Sequence, residues 1–153
     1  MPICQTKFSG RITFEPEQVL SVPAGLFGFP DEKEFLLFEL PSAKPMAFLQ
    51  SIQSPNLCFI TLPVQVIDAE YKLALAPADL ARFGYSEQQP PVMGRDVLCL
   101  ALLNIGDRKM TTANLLAPLV IQIATHRGLQ VIVDGPYSHE HPFLTPGLKD
   151  RAY

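Results

Sequence analysis

The side chains best suited to chemistry in this 153-residue chain are Tyr137, His139 and His141. A His-x-His pair on a strand puts both imidazoles on one face, and imidazole is a ready zinc ligand. A stable metal site wants three or four ligands, and the intervening Glu140 would point to the opposite face. The segment is therefore expected to form a polar surface or a hydrogen-bonded turn. The alternative is a small ligand-binding or catalytic pocket built around the three residues. His126 lies far in sequence from any paired acid or nucleophile. Ser51 and Ser138 lack the Gly-x-Ser-x-Gly setting of a nucleophile elbow. The carboxylate pairs Glu15/Glu17 and Asp31/Glu32 flank turns and are expected to be solvated. Asn114 invites an oxyanion role, but an Asn in such a run more simply caps a turn through its side chain.

Two other groups have a chemical and a plain reading. Gly25-Leu26-Phe27-Gly28-Phe29-Pro30 has two glycines, yet it lacks the combination of a following helix and basic residue that makes a phosphate cradle. The plain reading is a tight turn whose glycines take conformations closed to other residues, with Leu26, Phe27 and Phe29 packed locally. The functional reading is an aromatic loop that meets a partner. Cys4, Cys58 and Cys99 are odd in number, widely spaced and free of any CxxC pattern. That argues against a disulfide framework or a zinc site. Cys58 and Cys99 sit in apolar runs and are expected to be small buried side chains.

Composition narrows the class. Hydrophobic content is 48% and mean hydropathy is +0.18, enough for a real core in one domain. No apolar run approaches the roughly 18 residues of a membrane span. The N-terminus lacks the apolar stretch of a signal peptide, so a cytoplasmic location is expected. Net charge is −3, and Lys and Arg are scattered except for the neighbours Arg108 and Lys109. Direct nucleic-acid binding is not expected of such a chain; a basic protein partner suits it better.

The elements that must position these residues read as strands. Lys7 to Phe14 alternates, with Phe8, Gly10, Ile12 and Phe14 on one side, and is expected to be a half-buried strand. Gln18–Val22, Phe35–Leu40, Ala47–Ile52, Leu57–Leu62 and Val97–Asn104 follow as strands, with turn chemistry between them. Residues 109–112 form a short strand candidate. Leu119–Thr125 and Leu129–Asp134 flank His126-Arg127-Gly128, a hairpin signal with Gly128 available for positive φ. Pro118 suits the first residue of a strand, where no ladder donor is needed. Val64–Asp68 reads as a helical turn. Pro77–Phe83 reads as a brief helix, with Pro77 near its start and Gly84 just past its end. Strands roughly 10–12 residues apart predict a mostly β chain, an antiparallel β-barrel-like or sandwich fold with one or two short helices.

Several of these motifs occur in one order and spacing. Gly25–Pro30 precedes the strand from Phe35, and Leu49-Gln50-Ser51 lies on the next. Thr111 through Ile121 follows, then Gly128-Leu129-Gln130 and Tyr137 to Pro142. Over roughly residues 6–144 the chain resembles the FliW family of flagellar assembly factors. The resemblance implies a mostly-β domain of that family, and the chain is expected to be a single such domain over 1–153. From Gly135 the sequence carries little periodicity, broken by Pro142, Pro146 and Gly147, so a mobile tail is expected from about residue 145. The resemblance implies a non-enzymatic, cofactor-free cytoplasmic protein, a monomer on its own. It also implies two partners: CsrA, an RNA-binding translational repressor of flagellin synthesis, and flagellin itself. Bound flagellin leaves CsrA free to repress; export of flagellin releases FliW to capture CsrA. An export chaperone that holds flagellin without CsrA control is the nearest alternative. Leu26, Phe27, Phe29, Gln50, Asn114, Tyr137, His139 and His141 are the candidate partner contacts. Two positions depart from the family pattern: Phe27 stands where Pro is common, and Gln122 where Asn is.

Overall fold

The computed structural model describes residues 2–105 and 111–142. The tail expected from residue 145, and positions 109 and 110 of the short strand candidate, lie outside them. The first difference from the sequence reading is at the N-terminus. Lys7–Phe14 is not one strand. β1 (Ile3–Gln5) and β2 (Arg11–Thr13) pair antiparallel, with Cys4 opposite Ile12. The chain turns between them because Thr6 closes the loop: its Oγ1 donates to Gly10 O at 2.6 Å and accepts from Ser9 N at 2.9 Å. Local side-chain bonds of this kind compete directly with a strand.

β3 (Leu20–Ser21), β4 (Glu34–Glu39), β5 (Ala47–Ser51) and β6 (Cys58–Pro63) form an antiparallel meander in which Leu20 faces Phe35, Leu37 faces Leu49 and Leu49 faces Phe59. α1 (Val64–Ile67) and α2 (Pro77–Phe83) follow. β7 (Val97–Ile105) then organises the closure. One edge pairs with β6 through Leu100–Leu102. The other edge serves two strands in turn: β9 (Leu119–Gln122) along Val97–Leu100, and β8 (Thr111–Ala113) along Leu103–Ile105. β10 (Arg127–Gln130) pairs antiparallel with β9 and parallel with β3, through Arg127 opposite Ser21. The ring β3-β4-β5-β6-β7-β9-β10 is thereby closed, so the fold is a barrel and not an open sandwich. Closure removes the exposed edges that such a sheet would otherwise present. β11 (His141–Pro142) extends the side ribbon by pairing with β8.

Alternation sorts each strand between two environments. Leu20, Val22, Phe35, Leu49, Leu100, Leu119 and Ile121 fill the barrel, with Leu37, Phe59 and Leu102 beside them. Full burial of one such side chain contributes about 1.5–3 kcal/mol. The outward residues are also covered. Leu36 packs with Cys4 and Phe14 beneath the N-terminal hairpin. Phe48 and Leu62 pack with Ala43 and Met46. Val97, Cys99 and Ala101 lie under Tyr71, Leu115, Val131 and Val133. A wall apolar on both faces explains the near-continuous hydrophobic runs at 97–103 and 119–121.

The last hairpin differs from expectation in its turn. The turn is Ile123–His126, and Arg127 and Gly128 belong to β10. The residue with positive φ is His126, at 54°. Gly128 sits in a tight place: a Cβ there would lie 3.3 Å from Leu119 Cδ1 and 3.4 Å from Val22 Cγ2, so those side chains would have to give by a few tenths of an ångström. The strands are also shorter than read. Pro118 has no N–H to continue the ladder, so regular pairing stops at Leu119 opposite Gln130. Val131 and Val133 still donate to Pro118 O and Leu116 O, at 3.1 and 3.0 Å.

Candidate functional site

The barrel has a closed end, where β4 begins and β5 and β10 finish. The segment Gly25–Pro30 closes it. Leu26 N donates to Phe29 O at 3.1 Å and Phe29 N to Leu26 O at 2.8 Å, a four-residue turn. Gly28 takes φ +85 at its third position, as type II turns require. Gly25 takes φ +69, and a Cβ there would sit 2.4 Å from Pro30 O. The loop's three apolar residues part company. Leu26 is buried in the barrel core. Phe29 is partly exposed, its ring edge-on to Phe59 at 5.3 Å, and Phe59 in turn reaches Phe35 at 6.4 Å. Phe27 is 56% exposed. Local packing therefore holds for Leu26 and Phe29 and fails for Phe27.

What holds an exposed aromatic in so defined a place is Gln130, at the end of β10. Its Oε1 accepts from Phe27 N at 2.8 Å, and its Nε2 donates to Ala117 O at 3.0 Å. Asn114 fixes the far side of that bridge, its Oδ1 accepting from Ala117 N at 2.8 Å. This is the turn-capping role expected of it. One buried amide thus ties the aromatic loop to the 114–118 connection, about a hundred residues away in sequence. Sequence reasoning did not single out Gln130 as a brace. The signal was there: an amide inside the run Leu129-Gln130-Val131-Ile132-Val133 must find partners if buried.

Gln50 does a similar task elsewhere and has no exposed surface. Its Oε1 accepts from Lys7 N at 2.9 Å, while Nε2 donates to Ser51 O, Pro55 O and Leu57 O at 3.0 to 3.2 Å. It pins the N-terminal turn to the β5–β6 connection and presents no atom to solvent. Glu32 departs from the solvated reading: Ser51 Oγ donates to it at 2.5 Å and Ser54 Oγ at 3.0 Å.

Tyr137, His139 and His141 have separate settings. The Tyr137 ring lies 4.3 Å from that of Tyr71, and its OH accepts from Lys72 N at 2.8 Å. Tyr71 donates to Leu115 O at 2.6 Å. Burial pushes the Tyr71 phenol well above the usual range, with nearby Cys99, Tyr137 and Asp68 adding to the shift. The pair is a clamp over the outer wall. His139 points into solvent, 3.7 Å from Glu140 Oε1. His141 lies in β11 opposite Ala113, whereas His139 precedes the strand, so strand geometry does not put both imidazoles on one face. Among the described residues no three His, Cys, Asp or Glu side chains are placed to hold a metal. Cys4 and Cys99 are buried as free thiols, and Cys58, expected to be buried, is only half so. Desolvation pushes Cys99 up to about 12 and Cys58 to about 11, and raises Cys4 as well.

Gln122 also has a structural task. Its Nε2 donates to Phe83 O and to Tyr85 OH, both at 3.0 Å, tying the end of α2 to the barrel.

Three comparisons agree with this architecture. The model of the family described as "FliW protein" matches residues 3–144. The flagellar assembly factor FliW of Syntrophomonas wolfei is 31% identical over 139 residues, covering 90% of this chain and 85% of that protein. Its Bacillus subtilis counterpart is 29% identical over 142 residues, covering 92% and 95%. A crystal structure of the flagellar assembly factor FliW superposes with a TM-score of 0.80 at 27% identity, over 94% of this chain and 98% of that one. A match that takes in every strand of the barrel, both helices and the loop that closes its end places the chain in the FliW family.

Proposed function

We propose that this chain is a flagellar assembly factor that works by binding, with CsrA and flagellin competing or linked for occupancy of one rigid scaffold. The observation that carries the reading is the use of the polar groups. Gln50, Asn114, Gln130 and Tyr137 all spend their hydrogen bonds inside the fold. Among the exposed apolar side chains, Phe27 is the aromatic whose backbone is braced by a buried amide, on a barrel of acidic net charge. Preorganised exposed aromatics are the groups from which protein interfaces draw most of their affinity. Regulation then follows from linkage. A partner that occupies one state of the protein lowers the amount available to the other, by its concentration relative to Kd. An acidic scaffold and a basic RNA-binding regulator also attract at long range.

Titrating the purified chain with CsrA, and separately with flagellin, tests this directly. Complexes with both at micromolar concentration, each weakened by the other, are the expected result. Flagellin binding with no response to CsrA would replace regulation with an export-chaperone role. Binding to neither would reject the proposal.

A further inference from the structure

A second surface feature lies away from the aromatic loop. Over the parallel seam between β3 and β10, a depression of about 370 Å³ is lined by Pro23, Phe83, Arg127, Leu129 and, from the last turn of α2, Arg82. Gly128 directs its open side inward, toward Leu119 and Val22. Alternation therefore sends Arg127 and Leu129 to the outer wall. Phe83 is held in place through its carbonyl by Gln122. The result is an apolar floor with two arginines on its lining, Arg82 from α2 and Arg127 from β10. Among the described residues no carboxylate lines the depression. Among the described residues neither guanidinium has an ion-pair or side-chain hydrogen-bond partner.

We propose that this depression docks a carboxylate-bearing segment of a partner protein, an Asp or Glu side chain next to an apolar residue. Two arginines beside one hollow repel each other until an anion joins them, and guanidinium binds carboxylate through paired, charge-assisted hydrogen bonds. The floor of Phe83, Leu129 and Pro23 then takes the neighbouring apolar side chain. A nucleic acid is the less suitable anion. Its affinity comes from many phosphate contacts, whereas these two cations stand on a chain of net charge −3. The site goes beyond the binding function proposed above and does not depend on which partners that function involves.

The test is an NMR titration of the isotopically labelled full chain. The probe is a blocked dipeptide of phenylalanine and glutamate, with the glutamine analogue and inorganic phosphate as comparisons. The expected result is saturable shifts at the amides of Phe83, Gly128 and Leu129. Weaker binding at higher salt is also expected, as are far smaller shifts with either comparison probe. Arg82→Gln and Arg127→Gln should each weaken dipeptide binding about tenfold, as for loss of a charge-assisted pair. Both side chains are exposed, so unchanged thermal midpoints verify folding, and the salt dependence of the unsubstituted chain is an independent readout. Equal binding of the glutamine analogue would reduce the site to an apolar hollow. Equal binding of phosphate would make it a small-anion site, and absence of shifts would remove it; each of these overturns the proposal.

Discussion

The two ends of the barrel solve the same problem differently. At one end Leu26 plugs the core from a loop whose backbone is fastened by Gln130. At the other, Leu20, Leu37, Leu98, Ile121 and Ile123 surround an open mouth of about 210 Å³, with Gln18 and His126 at its rim. Leu98 and Ile123 stay more than a third exposed there. The difference shows what a plug needs. An apolar side chain alone does not hold a loop across a barrel. The loop's own N–H and C=O groups must be satisfied too, and among the described residues the closed end is the one where a buried amide, Gln130, does it.

The largest effect should come from removing the plug. Leu26→Ala deletes a buried side chain and leaves a void, at a cost of about 2–5 kcal/mol in urea unfolding. Leu98→Ala, at the open mouth, should cost about 1 kcal/mol or less, because water already reaches that residue. Equal losses would mean that the two ends are packed alike and the comparison fails. Gln130→Ala comes next. It strands Phe27 N–H and Ala117 C=O, and should cost about 1–3 kcal/mol. Hydrogen exchange at the Phe27 amide should accelerate with it, while exchange in β5 and β6 stays as it was. Unchanged protection at Phe27 would show that the turn holds without its brace.

The wall between the ends supplies a pH test. The Cys99 thiol is raised from 9.0 to about 12 by burial. Between those values the native protein keeps a proton that the unfolded chain releases, so stability is complete below about pH 9 and falls as pH rises toward 12. At about pH 10 the Cys99 share is on the order of 1 kcal/mol. Urea midpoints at pH 8 and about pH 10 should therefore draw closer together in Cys99→Ala than in the unsubstituted chain. A slope unaltered by the substitution would assign the alkaline loss to other groups, Tyr71 and Cys58 first among them.

The walls of this barrel were far more legible in the sequence than its ends. β4, β5, β6, β7 and α2 fall within a residue or so of their expected bounds, because period two, turn residues and helix-stop signals act over short distances. The errors sit where distant residues decide. Lys7–Phe14 alternates like a strand, yet Thr6 folds it into a turn that Gln50 then receives. Gly128 looked like a turn glycine, but the preference for a small residue comes from Leu119 and Val22 on the two strands that flank it. Closure through β7–β9 and the parallel β3–β10 contact leaves no local pattern at all. In the candidate site, Asn114 was readable because its bond spans three residues. Gln130 was not, because its bond to Phe27 spans 103.

The Phe27 ring carries the smallest expected effect on stability and the sharpest reading of the closed end. FliW resemblance places Pro at this position, the second of a turn that favours it. Phe27 differs in having an N–H, and that N–H is what Gln130 receives. Phe27→Pro would forfeit this bond and leave the buried Gln130 Oε1 without its partner, about 1–3 kcal/mol, against about 0.4–1 kcal/mol recovered by restricting the unfolded chain. Phe27→Ala keeps the bond and deletes an exposed ring. Phe27→Ala should leave the unfolding free energy within about 0.5 kcal/mol of the starting value, and Phe27→Pro should lower it by up to about 2 kcal/mol. Both should weaken flagellin or CsrA binding if the ring is the contact. Should Phe27→Ala weaken binding while Phe27→Pro preserves it, turn rigidity and not the aromatic face would be what the partner reads. A large stability loss in Phe27→Ala would instead make the exposed ring part of the plug, and the distinction between Leu26 inside and Phe27 outside would collapse.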